Sequence, residues 1–302
     1  MPYITAGHDD NTVVELYYED HGTGQPVVLI HDYPLDGRSW HRQVPPLLAA
    51  GHRVITYDRR GFGRSSHAAE GYDYDSLAAD LDALLTGLDL TETVLVGHAA
   101  GTGEITRYLG TYDAARVAKA VFLAGLGPYL LRTEETPYGI ELSAFDVLIA
   151  EARRDPQARF AELRRDFFNT DENLGTRFDA EAAKAFLDIA AAASPRAAVA
   201  VIPTWITDFR TDIAAIDVPV LIVHGTHDRL LPIDATSRPL HALLPRAVYV
   251  EIPAAPHGLL WTHADEVNRA LLDFLGEGTA SRPAAVGDST VDDRAAETPS
   301  HD

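Results

Sequence analysis

The sequence predicts an α/β protein built on a mostly parallel, doubly wound sheet. Short apolar runs rich in β-branched residues alternate with stretches of helical periodicity along most of the 302 residues. Continuous apolar strands of this kind are typical of parallel sheets that are covered on both faces. Hydrophobic residues make up 46% of the chain, which is enough material for a packed core of this class.

The predicted strands follow one another at regular intervals. The first alternates polar and apolar residues as a half-buried strand does, and the glycines Gly22 and Gly24 then turn the chain. The later runs are continuously apolar. The predicted strands are Val13–Tyr18, Pro26–Ile30, His52–Tyr57, Thr93–Val96, Val117–Leu123, Val218–Val223 and Ala247–Ile252.

Helical spacing occurs between these strands, at Tyr74–Leu88 and Glu104–Leu109, and in a last helix at His263–Phe274. Residues 129–210 read as helices without a clear strand, so we predict a helical cap inserted into a core formed by residues 1–128 and 211–275. Such an insertion usually covers the C-terminal edge of the strands, where ligands bind. Residues 276–302 are rich in Pro, Ala, Ser, Asp and Glu and predict a disordered acidic tail.

The charge and composition exclude several classes of function. The chain has 45 acidic and 25 basic residues, for a net charge of −20, which disfavours nucleic-acid and membrane-surface partners. It has no cysteine, hence no disulfide, thiolate metal ligand or cysteine nucleophile. No long apolar run or signal-peptide pattern is present, so we expect a cytoplasmic protein with a small-molecule substrate.

The densest motif is VLVGHAAGTG, where a buried strand runs into a Gly-x-x-x-Gly turn and then a helix. This pattern is typical of the nucleophile elbow, whose middle residue is exposed at a helix N-terminus. The middle residue here is Ala99, which cannot attack a carbonyl. The glycines Gly97 and Gly101 alone could also mark no more than a tight strand-to-helix turn.

Two later loops carry an acid and a histidine. Asp228 follows a buried strand in LIVHGTHDRLLP, and His257 follows the last strand in EIPAAPHGLLW. The order elbow, acid, histidine is that of a Ser-His-Asp hydrolase triad on an α/β sheet. One histidine among 13 is usually structural, but an acid and a histidine in successive loops after an elbow predict a catalytic pair.

A fourth loop, HDYPLDGRSW, follows the strand Pro26–Ile30. In hydrolases of this architecture it supplies one backbone amide of the oxyanion hole, and the residue after the nucleophile supplies the other. The matching amides are those of Tyr33 and Ala100. Trp40 and Trp205 are candidates for the pocket wall, with core packing as the alternative.

The chain resembles the cofactor-free bacterial haloperoxidase, or perhydrolase, branch of the α/β-hydrolases over nearly its whole length to about residue 275. Besides the elbow, the resemblance is carried by the stretches ELYYEDHGTGQPVVLIH, RVITYDRRGFGRS, GTGEITRYLGTYDAARVAKAVFLA, PTWITDFRTDI and PHGLLWTHADEVN. It implies the α/β-hydrolase fold, a site without cofactor or metal, and a homo-oligomer.

The departures from this family are concentrated at the site. The family has serine where this chain has Ala99, commonly methionine at Ala100, glycine at Asp32 and phenylalanine at His98. Because the family's hydrolase and perhydrolase activities depend on that serine, efficient ester hydrolysis or peracid formation is not expected. Asp32 and His98 become candidate catalytic residues, although Asp32 could merely cap a turn and His98 could merely fill core space.

Three hypotheses follow. In the first, the chain is an enzyme in which Asp228 orients His257 as an acid or base and the two amides stabilise an oxyanion. Proton transfer, elimination, decarboxylation or cyclisation of a small carbonyl or polycyclic natural-product substrate would fit this site. In the second, it is a pseudoenzyme that binds a ligand. In the third, it is an ordinary haloperoxidase or esterase from which the nucleophile has been removed.

Overall fold

The computed structural model describes residues 2–9, 12–112 and 114–276, and it contains one eight-stranded sheet. The strand order is β1-β2-β4-β3-β5-β6-β7-β8, in which the pairs β1–β2 and β2–β4 are antiparallel and the other five pairs are parallel. The predicted mostly parallel sheet is therefore confirmed. The strands are β1 Tyr3–Asp9, β2 Thr12–His21, β3 Pro26–Ile30, β4 Arg53–Tyr57, β5 Thr93–His98, β6 Val117–Leu123, β7 Val220–Gly225 and β8 Val248–Ile252.

The first strand, β1, is absent from the sequence-based prediction. It pairs with β2 at the edge of the sheet, and its register shifts between Thr5 and Gly7. Gly7 has a φ of 127°, a backbone conformation that glycine adopts more readily than other residues. An exposed edge strand with an irregular register lacks the apolar pattern by which the buried strands are recognised.

Helices connect the parallel strands and form the segment between β6 and β7. The N-terminal part has α1 Val44–Ala49, α2 Tyr74–Gly87 and α3 Ala100–Thr111. The segment between β6 and β7 has α4 Leu142–Arg154, α5 Pro156–Phe168, α6 Thr170–Asn173, α7 Ala180–Ala190, α8 Ala197–Ala200 and α9 Arg210–Ala214. The C-terminal part has α10 Ser237–Leu243, α11 Leu259–Thr262 and α12 Ala264–Gly276.

This helical segment matches the position predicted for the cap, although the division into core and cap stays a prediction. Its connection from β6 also contains an isolated bridge between Leu131 and Ile140. The predicted acidic tail, from residue 277 onward, lies outside the described residues. Among the described helices, none has the length and apolar character required to cross a membrane.

Burial on both faces of the sheet accounts for the continuously apolar strands. Every residue of β5 is buried. Val94 and Val96 belong to one cluster of buried apolar side chains, whereas Leu95 between them belongs to a second cluster. Since successive side chains of a strand point to opposite faces, β5 packs against both layers, and the loop that follows it lies at the centre of the sheet edge.

Candidate active site

The turn between β5 and α3 has the geometry of a nucleophile elbow. Ala99 has a φ of 44° and a ψ of −108°, a strained conformation for a residue with a Cβ atom. A Cβ atom on Gly97 would lie 2.8 Å from the carbonyl carbon of Gly101, and one on Gly101 would lie 2.5 Å from the carbonyl oxygen of Ile30. Both glycines are therefore required by close packing, and the middle position, which lines a pocket, carries only a methyl group.

His257 and Asp228 form the predicted pair. His257 Nδ1 donates to Asp228 Oδ2 over 2.7 Å, and both side chains are buried. The other carboxylate oxygen of Asp228 accepts hydrogen bonds from the backbone N–H groups of Leu230 and Leu231, at 2.9 and 2.8 Å. Burial opposes a charge on Asp228, but the two neighbouring histidines hold its pKa well below the usual range. Asp228 is consequently a fixed anion that orients His257.

Asp32 occupies the space between His257 and the elbow. Its Oδ1 accepts the backbone N–H of Ala100 over 3.1 Å, and its Oδ2 accepts from His257 Nε2 over 3.2 Å. Burial would raise the pKa of Asp32, but the hydrogen bond and charge of His257 outweigh burial and lower it. The Ala100 amide that the sequence predicts as an oxyanion donor is thus already bonded to a carboxylate within the chain.

His257 therefore lies between two carboxylates. Burial by itself would lower the pKa of the imidazole, yet the charge and hydrogen bond of Asp228, together with those of Asp32, raise it to about 10. At neutral pH the ring is an imidazolium that donates through both nitrogens. It can donate a proton to a substrate, and the adjacent Asp32 can accept one.

Two hydrogen bonds of the His31 ring hold the predicted oxyanion loop in place. The backbone N–H of Arg59 donates to His31 Nε2 over 2.8 Å, so that His31 Nδ1 carries the proton and donates to the backbone carbonyl of Asp32, also over 2.8 Å. Burial and the charge of Arg59 lower the pKa of His31 to about 4, which keeps this ring neutral. The two bonds fix the loop that carries Asp32.

His98 is close to the site but has a different environment. Its Nε2 donates to the backbone carbonyl of His257 over 3.1 Å, and its ring centre lies 5.2 Å from that of His257. Burial lowers the pKa of His98 to about 4, so this ring is neutral. Trp40 packs edge-on against His98, with ring centres 6.5 Å apart, and is fully buried. Trp40 is not among the side chains of the pocket wall.

Three of these side chains have the composition of a metal site. A ring nitrogen of His98, a ring nitrogen of His257 and a carboxylate oxygen of Asp32 all lie within 4.8 Å of one another. Two histidines and a carboxylate are a known donor set for divalent transition metals. Metal binding at His257 Nε2 would require loss of the proton that Asp228 and Asp32 stabilise there. The hydrogen-bonded geometry therefore favours a proton at this position.

A pocket of about 100 Å³ opens at Asp32, Ala99, Ala100 and His257. Tyr33 forms part of its wall, and its hydroxyl donates to the carbonyl of Ala198 over 3.0 Å. The rest of the wall is mostly apolar and comes largely from the helical segment and its connections. It includes Leu126, Leu130, Ile140, Phe145, Leu148, Leu163, Ile202, Trp205, Leu230 and Leu231.

Sequence reasoning missed two charged or titratable members of the site. His224 Nε2 lies 3.2 Å from Asp228 Oδ2, and His224 Nδ1 lies 2.6 Å from Ser237 Oγ, so Asp228 contacts two histidines. His224 lies at the end of β7, four residues before Asp228, and this position in the sequence could have identified it. Arg159 on α5 lines the pocket, and no motif in the helical segment singles it out.

Comparisons with known proteins identify relatives over most of the chain. Residues 25–264 match the family model described as alpha/beta hydrolase fold. A protein of Synechocystis sp., provisionally described as a non-heme chloroperoxidase, is 50% identical over 91% of this chain and 100% of its own length. A non-heme chloroperoxidase of Kitasatospora aureofaciens is 35% identical, over 87% of this chain and 97% of its own.

Solved structures agree with these matches. The crystal structure of a bromoperoxidase from Bacillus anthracis superposes with a TM-score of 0.87 at 41% sequence identity, and the match covers 91% of this chain and 99% of that chain. An esterase from Exiguobacterium antarcticum superposes with a TM-score of 0.84 at 25% identity, over 91% of this chain and 100% of that chain.

Proposed function

The chain belongs to the α/β-hydrolase fold family, and from this premise we propose that it is an enzyme without a serine nucleophile, which transfers protons to and from a small carbonyl substrate. The observation that carries the proposal is the position of His257 between Asp228 and Asp32 at the wall of an apolar pocket, beside an elbow that ends in Ala99. Non-haem haloperoxidases are close relatives of the chain. The proposed reaction differs from serine-dependent hydrolysis because it uses no serine nucleophile.

The two hydrogen bonds of His257 have different roles. The bond to Asp228 is 2.7 Å long and keeps the ring oriented, whereas the contact with Asp32 is 3.2 Å long and faces the pocket. A carbonyl oxygen of a substrate can replace Asp32 as the acceptor of the Nε2 proton, because the longer contact is the weaker one. The freed Asp32 carboxylate then removes a proton from the carbon next to that carbonyl, and the neutral enol results.

The pocket limits the size of the substrate. Its volume of about 100 Å³ is smaller than the ~150 Å³ cavity that accommodates benzene in an engineered protein core. A small ketone or aldehyde fits this space. The polycyclic substrate that the sequence also suggested exceeds this volume, so the proposal is restricted to small carbonyl compounds.

The test is deuterium exchange at the carbon next to the carbonyl of butanone and cyclopentanone, followed by proton NMR in heavy water. We expect exchange well above that in buffer, and we expect His257→Gln and Asp32→Asn to slow it by about 10²–10⁴-fold, the usual contribution of general acid–base catalysis. His263→Gln is the matched control, because His263 is also buried but bonds to Thr262 outside the pocket.

Three outcomes would contradict this proposal. Equal exchange by the unmodified chain and by His257→Gln would exclude acid–base catalysis at this ring, and saturable ketone binding without exchange would indicate a binding protein. Fast turnover of p-nitrophenyl acetate by the unmodified chain would show that ester hydrolysis continues without a serine at the elbow.

A further inference from the structure

Arg159 brings a positive charge to a pocket wall that is otherwise mostly apolar. It lies on α5 with its side chain 16% exposed, and it lines the same pocket as Asp32 and His257. Among the described residues, only the carboxylate of Glu151 is near its guanidinium, and that carboxylate is 3.7 Å from Nε, too far for a hydrogen bond. A largely buried guanidinium is costly without a hydrogen-bonded partner, so this position favours an anion from outside the chain.

The proposed proton transfer makes no use of this charge. Asp32 and His257 are the other two charged side chains that line the pocket, and they contact each other at 3.2 Å. Their opposite charges compensate each other, whereas Arg159 has no such counterpart among the described residues of the pocket wall. A neutral ketone would leave Arg159 in this state. A ketone that carries a negative group would supply the missing charge.

Tyr33 lies next to Arg159 and to a second donor of the pocket wall. Burial raises the pKa of the Tyr33 hydroxyl, and the nearby charge of Arg159 opposes this rise. The Trp205 ring packs edge-on against the Tyr33 ring, with ring centres 5.0 Å apart, and also lines the pocket. Its indole N–H is buried and has no hydrogen-bond partner in the part of the chain that the structure describes. A guanidinium and an orphaned N–H thus flank the residue that follows Asp32.

We propose that the substrate is a short 2-oxo carboxylate, whose carboxylate group binds the guanidinium of Arg159 and the indole N–H of Trp205. A planar carboxylate accepts two parallel hydrogen bonds from a guanidinium and retains lone pairs for a further donor. The ketone of a 2-oxo acid is bonded directly to the carboxylate carbon, so a molecule of three or four carbons suits the small pocket of about 100 Å³. This inference rests on the proposed function for its reaction and adds the class of substrate.

The bound carboxylate orients the ketone for proton transfer at Asp32 and His257. His257 Nε2 gives its proton to the ketone oxygen while Asp32 removes a proton from carbon 3, and the electron pair of that C–H bond forms the double bond between carbons 2 and 3. Asp32 then returns the proton to His257 across their 3.2 Å contact. The sum is the interconversion of a 2-oxo acid and its enol, without a second reactant.

The experiment compares butanone with 2-oxobutanoate, in which a carboxylate replaces one methyl group beside the ketone. Deuterium exchange at the CH₂ group that both compounds share is followed by proton NMR, and each rate is divided by the rate in buffer. The readout is the ratio of kcat/KM for 2-oxobutanoate to kcat/KM for butanone. We expect Arg159→Met to lower this ratio by about ten- to a hundredfold, the value of a hydrogen bond to a charged group, mainly by raising KM for 2-oxobutanoate.

Three further variants test the two donors. Arg159→Lys keeps the charge without the planar fork and should recover part of the ratio. Trp205→Phe keeps an aromatic ring but lacks the N–H, and it should lower the ratio by about tenfold. Arg165→Met is the matched control, because Arg165 is on the same helix, is 73% exposed and does not line the pocket. It changes the net charge equally and should leave the ratio as it is.

Binding is measured separately by isothermal titration calorimetry with 2-oxobutanoate, which requires no turnover. We expect the Kd to rise by about ten- to a hundredfold in Arg159→Met, with circular dichroism to verify that the variant is folded. Absence of binding by the unmodified chain, or equal affinity in folded Arg159→Met, would overturn this substrate class, whatever the exchange of butanone. Binding that depends on Arg159, without exchange of either compound, would support the ligand class and contradict the proposed proton transfer instead.

Discussion

Asp32 Oδ2 lies 3.2 Å from His257 Nε2, although the two residues are 225 positions apart in the chain. Through this contact the imidazolium has a carboxylate on each side, and through its other oxygen Asp32 accepts the N–H of Ala100. One side chain thereby contacts both the histidine and the backbone amide that was predicted as an oxyanion donor.

Ala99→Ser alone should not convert the chain into an efficient esterase. The new hydroxyl would meet an imidazolium already bonded to Asp32 and an Ala100 amide already occupied by the same carboxylate. Ala99→Ser combined with Asp32→Gly frees both groups. We expect the double variant to hydrolyse p-nitrophenyl acetate about 10²–10³-fold faster than the single variant, which is the value of one oxyanion donor. Equal rates for the two variants would show that Asp32 does not block the site.

Asp32→Asn should lower the pKa of His257. The pKa of this ring is raised to about 10, against 6.5 for a free histidine. The resulting stabilisation of the fold is complete below pH 6.5 and is lost as the pH rises towards 10. Without the Asp32 charge, Asp228 alone supports the imidazolium, so the loss of stability should still begin near pH 6.5 but should be smaller and end at lower pH. NMR titration of the His257 ring and thermal unfolding at several pH values measure both effects. An unchanged titration midpoint would contradict the charge contribution of Asp32.

Neither removal of metal ions by a chelator nor substitution of His98 should appreciably change the rate of proton exchange. His98 is neutral and bonds to the backbone carbonyl of His257, so His98→Phe should reduce the free energy of unfolding by about 1 kcal/mol and the rate by less than about threefold. Prolonged dialysis against EDTA should have no effect. Loss of activity in both experiments would instead indicate a metal ion on the cluster of Asp32, His98 and His257.

Glu104 on α3 should be important for stability rather than for chemistry. It is fully buried, its Oε2 accepts from Arg59 Nε over 2.8 Å, and Tyr57 donates to its other oxygen. Removing one partner of a buried ion pair leaves the other charge unpaired. Glu104→Ala should therefore lower the free energy of unfolding by about 3–5 kcal/mol, as measured by denaturant titration. A loss below about 1 kcal/mol, as for an exposed pair, would contradict this.

Much of the fold could be predicted because its signals are local. The strands β3 to β8 were recognised from their apolar runs, with end points that differ from the observed ones by at most two residues. The edge strand β1 was not recognised, because an exposed, irregular strand carries little periodicity. Asp228 and His257 could be nominated because the loops that follow parallel strands meet at one edge of the sheet.

The sequence by itself therefore determined the α/β-hydrolase architecture, the alanine at the elbow and the acid–histidine pair, since each depends on residue type and on position relative to a strand. Only the tertiary structure decided that Asp32 turns its carboxylate towards both Ala100 and His257, and that His224, Arg159 and Trp205 surround this site. Those contacts depend on side-chain orientation between loops from distant parts of the chain. Sequence periodicity reports which face of an element is buried, but it does not report which side chains of two loops meet.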